Sequence, residues 1–270
     1  MNPLEILKIT PKTNCGECNF PTCLAFAAAV SKTGIPLSQC PHLDSESIDL
    51  NDQPNVDDLA NLARQRDLQL IATLKQKIEP LSFAQVASKI GATCAKDKPE
   101  TLRFRYLGQN VTLSKDVLLI DDEIPEDPRD QILLYNYVST GGGEQPRGDW
   151  IGMESLPNSL SKTRTLKIYC EDRIADFFSR FDASHLGEIA AGFDGIIPDN
   201  QQTSASIAVI IPVLPLVPQL LLYWEAEPED GFDAAAKILF DAGVLDFLDI
   251  ESLVFSAERL TDHLFTLIDA

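Results

Sequence analysis

Four of the six cysteines in this 270-residue chain fall within its first 40 residues, and this clustering constrains the fold more than any other feature. They are Cys15, Cys18, Cys23 and Cys40, in the pattern C-x2-C-x4-C-x16-C-P. Four thiols in so short a segment can hold a metal centre, whereas paired structural disulfides are rare in a reducing cytosol. We therefore expect a small unit that folds around a metal centre.

The spacing of these cysteines bears on which metal centre they hold. Structural zinc sites usually combine two knuckles, each carrying two closely spaced ligands. This chain has one such pair, and Cys23 and Cys40 stand alone. Cubane iron–sulfur clusters take single thiolates at separate iron atoms, and a proline often follows the last cysteine, as Pro41 does here. The pattern favours an iron–sulfur cluster, with zinc as the second interpretation and a role without metal as the third.

The residues around the cysteines suit a loop that binds a cluster. Asn14, Gly16 and Asn19 tolerate positive φ, so they permit tight turns that point backbone N–H groups at sulfur. An alanine-rich helix is predicted over residues 24–30, with Thr22 as its N-cap. The small side chains allow close approach to a cluster, and the N-terminal end of the helix dipole favours an anionic centre. A cluster that only staples the small unit together would need the same features.

Residues 14–27, which read NCGECNFPTCLAFA, resemble together with Cys40-Pro41 a small [4Fe-4S] domain. This domain occurs at the N-terminus of the large subunit of the corrinoid iron–sulfur protein and in the B subunit of Rnf-type electron-transport complexes. The resemblance implies one low-potential [4Fe-4S] cluster used for one-electron transfer, with Cys15, Cys18, Cys23 and Cys40 as its ligands. The whole chain also resembles a family from anaerobes that joins this domain to a C-terminal domain of unknown function, for which no activity is implied.

The remainder of the chain departs from those relatives. The barrel and the cobalamin-binding domain of a corrinoid protein need more than the roughly 200 residues that remain. The base-off cobalamin motif D-x-H-x-x-G is absent, because in the nearest segment, residues 182–187, the Asp and the Gly stand at the wrong distance from His185. Cys94 and Cys170 are too few for a second cubane. We therefore infer neither bound cobalamin nor a second cluster.

The charge of the chain limits its partners. Acidic residues outnumber basic residues 41 to 22, which gives a net charge of -19. Nucleic acid and an anionic membrane surface would both be repelled, so neither is expected as a partner. Residues 1–43 hold three lysines and two glutamates, so the acidic excess lies in the rest of the chain. That acidic body would attract a basic partner protein.

One long apolar segment raises the question of a membrane span. Residues 207–224 contain a single polar residue and are long enough to cross a bilayer. Pro212, Pro215 and Pro218 interrupt the segment, which no straight helix tolerates. We interpret it as two buried strands joined by an extended proline segment, and we predict no membrane insertion. Residues 1–5 lack the basic and apolar regions of a signal peptide, so a cytoplasmic protein is expected.

Composition and patterning predict three segments: a cluster domain at 1–43, an acidic linker at 44–58 and a larger domain at 59–270. Strands and helices of the larger domain come in groups without a βαβ rhythm, so the predicted fold class is α+β rather than a doubly wound sheet. Helices are predicted at 59–78, at 82–91 with a Ser82–Gln85 capping box, from Asp127-Pro128 through 137, and at 170–181, 184–191, 233–240 and 249–267. Strands are predicted in a hairpin at 102–113 and at 150–153, 204–211 and 220–224.

The histidines and the two remaining cysteines are weaker candidates for a site. His42 lies two residues from Cys40, so it either lines the cluster or has a plain surface role, and the surface role is favoured. Cys94 and Cys170 are interpreted as buried small hydrophobic residues. Helix spacing does not bring Cys170 to His185, so a thiolate–imidazole pair is not favoured.

Two loops are also weighed as ligand sites. Three consecutive glycines at 141–143 follow a helix and lack the lysine of a phosphate-binding loop, so phosphate binding is not favoured. The acidic residues between 225 and 233 are interpreted as a solvated loop, with a hard-cation site as the alternative. They are Glu225, Glu227, Glu229, Asp230 and Asp233.

Two classes of function remain. In the first, the chain is a non-catalytic electron-transfer module whose nearly neutral cluster domain docks on a redox partner, either a basic protein or a corrinoid-dependent enzyme. In the second, the C-terminal domain binds a ligand or catalyses a reaction, and the cluster is structural or senses the redox state. The first is favoured, because four thiolates on a short exposed segment suit electron transfer between proteins.

Overall fold

The computed structural model describes residues 3–43, 56–95, 98–198 and 203–266. The chain forms two compact units, Met1–Gln65 and Arg66–Ala270. The predicted α+β class is confirmed, with a small thiol-containing unit followed by a larger unit of helices and antiparallel sheets. Most of the predicted acidic linker, residues 44–55, lies outside the described residues. Within the described ranges, no helix combines the length and apolarity that a membrane span needs.

Two helices of the first unit pack around a small apolar core. Its elements before residue 44 are helix α1 Pro3–Ile9, helix α2 Cys23–Thr33 and a 3-10 turn at Leu37–Gln39. Thr22 is the N-cap of α2, as predicted, because its hydroxyl accepts the N–H of Ala25 at 3.0 Å. Ile6 from α1, Phe26 from α2 and Leu37 are buried together in the core. Burial of these side chains away from water contributes to the stability of this short unit.

The first sheet of the second unit is an antiparallel meander in the order β1-β2-β3-β4. Its strands are Thr93–Ala95, Lys98–Tyr106, Gln109–Leu113 and Leu118–Ile120. The predicted hairpin is confirmed, since Leu102 pairs with Leu113 and Tyr106 pairs with Gln109. Leu102 and Tyr106 are buried, whereas Arg103 between them is exposed, so the alternation turns one face of the sheet to the core.

The second sheet has the strand order β5-β8-β7-β6, and all its pairings are antiparallel. Its strands in chain order are β5 Trp150–Gly152, β6 Ile207–Leu214, β7 Val217–Trp224 and β8 Ala235–Asp241. The predicted extended proline segment between β6 and β7 is wrong. Pro212 and Pro218 face each other inside the two strands, at a bulge between Pro212 and Leu214, and Pro215 lies in the tight turn. A bulge accommodates prolines because the ladder is already interrupted there.

The helix predicted at 233–240 is wrong, because most of this segment forms strand β8. Three successive alanines at 234–236 favour a helix locally, which is why the sequence indicated one. In the structure Ile238 and Phe240 are fully buried and pair with Leu221 and Gln219 of β7. Burial of this apolar run in the middle of a sheet outweighs the local preference of the alanines.

The helices of the second unit largely follow the predicted positions. They are the part of α3 Val56–Ile78 that follows Gln65, and α4 Phe83–Val86, α5 Pro128–Ser139, α6 Leu160–Leu166, α7 Asp172–Phe178, α8 Ala183–Ala191 and α9 Ile250–Thr266. Asp127 caps α5 as predicted, because its carboxylate accepts a backbone N–H of the first turn at 2.9 Å. Ser82 precedes α4 without a side-chain cap, so the capping-box prediction is wrong. The helix predicted at 170–181 begins earlier, at Leu160, and includes a π-helical segment at Lys167–Glu171.

Candidate metal centre

All four predicted ligands lie in the first unit, but they differ in exposure. Cys18, Cys23 and Cys40 are buried, with 6%, 7% and 5% of their surface exposed, whereas Cys15 is exposed. Cys18 and Cys40 form part of the apolar core of the unit. All four are free thiols. A centre held by these thiols is therefore shielded from water at three ligands and open at Cys15.

The loop between the first three cysteines has the backbone expected from its sequence. Asn14, Gly16 and Asn19 adopt positive φ of 53°, 78° and 65°. The N–H of Asn19 donates to the carbonyl of Gly16 at 3.0 Å and closes a turn. Left-handed residues of this kind occur in the backbone concavities that bind anions. The loop conformation thus suits an anionic centre.

Two side-chain bonds hold the ligand-bearing segments in place. The Oδ1 atom of Asn14 accepts the N–H of Cys23 at 2.8 Å. The Nε2 atom of Gln39 donates to the carbonyl of Cys18 at 3.1 Å, which ties the segment before Cys40 to the first loop. Cys23 is also the first residue of α2, so its thiol stands at the helix end that favours negative charge. The positions of three cysteines are therefore fixed by contacts outside the thiols themselves.

The spacing of the four sulfurs agrees with an iron–sulfur cluster better than with a single zinc ion. A tetrahedral zinc site gathers its sulfurs about 3.8 Å apart, because each Zn–S bond is about 2.3 Å long. Among the described residues, no three of the four cysteine sulfurs lie within 4.8 Å of one another. Iron–sulfur clusters are held by cysteine thiolates that bind separate iron atoms, so their ligands stand farther apart. All-thiol ligation is common to structural zinc sites and iron–sulfur clusters, so only the spacing of the sulfurs bears on the choice, and it agrees with a cluster.

A group of metal-ligating side chains forms at the exposed cysteine. Cys15, Glu17 and His42 are all exposed, and their ligand atoms lie within 4.8 Å of one another. The Nε2 atom of His42 is 2.8 Å from Oε2 of Glu17. His42 therefore lies on the surface, as favoured, and also beside a predicted ligand. Glu17 was not among the residues singled out from the sequence, although its place between Cys15 and Cys18 could have indicated it.

The second unit holds a buried ionic network centred on Asp130 and Arg259. Arg259 Nε and Nη2 donate to Oδ1 and Oδ2 of Asp130 at 2.7 and 2.8 Å, and the Tyr106 hydroxyl donates to Oδ1 at 2.6 Å. Asp130 is 5% exposed. Burial, reinforced by the charge of Asp130, raises the pKa of Tyr106 well above its ordinary value, so the hydroxyl remains a donor. These residues lie far apart in the chain, which is why no local pattern indicated them.

The network joins α5 to α9, and its basic side chains pair with its own acidic side chains. Arg129 contacts Asp127 at 2.7 Å and Asp262 at 3.0 Å, so it joins carboxylates of both helices. Burial acts to raise the pKa of Asp127, but its bonds to Arg129 hold that pKa below its ordinary value. Burial, with the adjacent charge of Arg259, lowers the pKa of His263 and favours its neutral imidazole. The arrangement fastens two helices together, as a structural network does.

The remaining cysteines and His185 each have a structural explanation. Cys170 is fully buried, and burial raises the pKa of its thiol to about 12, so it is the inert small residue predicted. Cys94 is partly buried and packs against the main core. His185 stacks on Phe181 with ring centroids 5.1 Å apart and contacts Glu188 at 3.3 Å.

The two candidate loops have structural explanations. A Cβ at Gly142 would lie 2.3 Å from the carbonyl oxygen of Lys89, so this glycine permits a close backbone approach. In the acidic segment, Glu225 accepts the N–H of Ala183 at 2.7 Å. Among the described residues, no three carboxylates of that segment come within 4.8 Å of one another. Residues 225–233 are exposed, which agrees with a solvated acidic loop.

Fold and site together define a class of protein: a small thiol-rich metal-binding unit followed by an α+β domain. A family model described as "Domain of unknown function (DUF3786)" matches residues 82–263, and the chain belongs to this family. A second model, described as "Putative Fe-S cluster", matches residues 11–42. That second match spans all four cysteines of the first unit, and it supports an iron–sulfur cofactor there.

Similar proteins share the cysteine-containing segment. The gamma 1 subunit of the acetyl-CoA decarbonylase/synthase complex of Methanosarcina thermophila is 49% identical over 45 residues, which are 17% of this chain and 10% of that protein. The corrinoid/iron–sulfur protein large subunit of Moorella thermoacetica is 52% identical over 40 residues, 15% of this chain and 9% of that protein. The matches therefore span about a tenth of the relatives' length. No solved structure matches the chain. The resemblance of the N-terminal segment to the corrinoid iron–sulfur protein is confirmed.

Proposed function

We propose that the first unit holds one low-potential [4Fe-4S] cluster on Cys15, Cys18, Cys23 and Cys40 and passes single electrons to a redox partner. Two observations carry the proposal together. Three of the four thiols are buried and one is exposed, and the loop around the first three cysteines has left-handed turns. The iron–sulfur family model supports the class of cofactor. We also propose the domain boundaries 1–43, 44–58 and 59–270 for the cluster domain, the linker and the α+β domain.

Some residues of the first unit shield the proposed cluster from water, and one gives a partner protein access to it. When bound, a [4Fe-4S] cluster supplies reversible one-electron chemistry, commonly at negative potential. The burial of Cys18, Cys23 and Cys40 excludes water from three ligands. The Asn14 bond to the N–H of Cys23 fixes one of these ligands relative to the loop. The exposure of Cys15 gives a partner protein its nearest approach to the centre.

The names of the relatives suggest the kind of partner. They are subunits of acetyl-CoA decarbonylase/synthase complexes and of a corrinoid/iron–sulfur protein. We propose a redox enzyme of anaerobic metabolism, in the cytoplasm, that is either corrinoid-dependent or presents a basic surface. The net charge of -19 supports a basic surface, because it would steer such a partner to the chain.

The proposal is tested by potentiometric EPR on the full chain after anaerobic reconstitution with iron and sulfide. We expect a reversible one-electron reduction at low potential, with no loss of iron over repeated cycles. The matched control is Cys23→Ala, which should lose the redox signal while circular dichroism reports a folded second unit. A cluster that is not reduced, or that decays on its first reduction, would indicate a structural or sensing role instead.

A further inference from the structure

The strongest unexplained feature is the group of donors at the exposed cysteine. The ligand atoms of Cys15, Glu17 and His42 lie within 4.8 Å of one another. The side chains of His42 and Glu17 remain 47% and 57% exposed, so neither is buried for packing. Thiolate, carboxylate and imidazole are three of the common protein ligands of transition metals. Their convergence at one of the four predicted ligands calls for a functional explanation.

Two turns bring these side chains together from distant positions in the sequence. Glu17 lies in the turn closed by the bond between the N–H of Asn19 and the carbonyl of Gly16. His42 lies in a second turn, in which the N–H of Leu43 donates to the carbonyl of Cys40 at 3.2 Å. Because both turns include or adjoin a predicted ligand, their positions would be set by the same centre.

The contact between His42 and Glu17 has the form of a supported metal ligand. The Nε2 atom of His42 is 2.8 Å from Oε2 of Glu17. Carboxylates that bond to a histidine orient its ring and raise its basicity toward a metal. The other three cysteines are buried, and among the described residues none of them belongs to such a group. The feature is therefore specific to Cys15.

We propose that His42, oriented by Glu17, is an alternative ligand for the iron atom at Cys15. This inference rests on the proposed function, since it concerns the same cluster. It makes the Cys15 position the exchangeable one: when the thiolate is removed, the imidazole takes its place and the iron is retained. No such substitute stands at Cys18, Cys23 or Cys40.

The test compares Cys15→Ala with the double variant Cys15→Ala/His42→Ala after anaerobic reconstitution of the full chain. We expect Cys15→Ala to retain roughly four irons per chain, and the double variant to retain roughly three or fewer. Pulsed EPR of reduced Cys15→Ala should show a coupling to nitrogen that the double variant lacks. Imidazole in place of thiolate should also raise the reduction potential, as it does in other histidine-ligated clusters. His42→Ala alone should keep all four irons, because Cys15 remains.

The outcomes separate this inference from the proposed function. If the chain with all its cysteines binds no cluster, the proposed function fails. If that chain binds a cluster but Cys15→Ala and the double variant have equal iron content and equal spectra, only the role of His42 is overturned. A folded Cys15→Ala that binds no cluster would overturn the inference. Should Cys15→Ala fail to fold, Cys15→Ser is the second variant, since its weaker oxygen ligand leaves the imidazole able to compete. Absence of nitrogen coupling in loaded Cys15→Ser would also overturn the inference.

Discussion

Asn14 joins the conformation of the ligand loop to the start of helix α2. It adopts φ of 53°, and its Oδ1 atom accepts the N–H of Cys23 at 2.8 Å. Asn14→Gly keeps the backbone freedom but removes a bond worth about 1 kcal/mol, or about fivefold in rate. We therefore expect the cluster absorbance of this variant to decay roughly fivefold faster in air. The control is Asn19→Gly at another left-handed position, and equal decay of the two variants would contradict the role of the bond.

Asp130 is the residue on which the buried network of the second unit depends. Its carboxylate binds Arg259 through both oxygens and also accepts the hydroxyl of Tyr106. Asp130→Asn would remove the most buried carboxylate that binds Arg259 and leave only its contacts with Asp127 at 3.1 Å and Asp262 at 3.5 Å. We therefore expect the free energy of unfolding to fall by about 2 kcal/mol or more in urea titrations. Asp176→Asn, which breaks an exposed contact of 3.8 Å with Arg180, should change it by less than about 0.5 kcal/mol. Similar losses in the two variants would refute the buried pairing.

Glu171 makes stability depend on pH. Burial raises the pKa of its carboxyl above the ordinary 4.5, although the N–H of Ile238 and the charge of Lys237 oppose this. The folded state therefore binds this proton more tightly than the unfolded state, and the stabilisation present at low pH is lost as pH rises through the raised pKa. Glu171→Gln keeps an acceptor for Ile238 but cannot ionise. Its stability relative to the unsubstituted chain should therefore increase between about pH 4 and about pH 8.

The measurement is urea unfolding at several pH values, with the exposed Glu229→Gln as control. The control measures how far the substitution of one exposed carboxyl changes stability over the same pH series. A Glu171→Gln difference that stays constant, or falls as pH rises, would contradict the effect of burial on Glu171.

At the scale of elements, the sequence predicted the features that depend only on residues close together in the chain. The cap of α5 depends on Asp127 and the residues directly after it, and the hairpin at 102–113 on alternation around a two-residue turn. The four cysteines and the left-handed loop positions are likewise readable, because each depends on residue type and spacing within one segment. The contact between His42 and Glu17 joins residues 25 positions apart, and the sequence did not predict it.

Strand β8 and the ionic network could not be predicted from local sequence signals. The alanines before Ile238 favour a helix, and only the pairing with β7 makes the segment a strand. Arg259 lies 129 positions from Asp130, so their contact exists only once α5 and α9 pack together. Both features depend on tertiary packing, which no periodicity in the sequence records.

The turn after α4 offers a test of packing between elements. Gly91 has φ of 65°, and a Cβ there would lie 2.7 Å from Cβ of Pro215 in the β6–β7 turn. Gly91→Ala combines backbone strain with this overlap, so we expect a loss of about 3 kcal/mol in urea unfolding. Gly231→Ala has comparable φ of 78° with nothing within 4 Å, and it should cost only about 1 kcal/mol. Equal losses would indicate that the close approach to Pro215 contributes nothing.

At the scale of the whole molecule, two units have separate cores and different charges. The first unit buries Ile6, Phe26 and Leu37 beside two of its cysteines, whereas the second has a larger core of its own. The acidic excess lies beyond residue 43, so the cysteine-containing segment is nearly neutral while the rest of the chain is acidic. This division agrees with a small unit that carries the cofactor and a body that steers a partner.

The central claim is that four thiols of the first unit hold one [4Fe-4S] cluster. It is tested most directly by iron, sulfide and zinc analysis of the anaerobically purified full chain, together with EPR after reduction. The account predicts about four irons and about four sulfides per chain, little zinc, and an EPR signal that appears on reduction. About one zinc per chain, with no iron-dependent absorbance and no such signal, would contradict it.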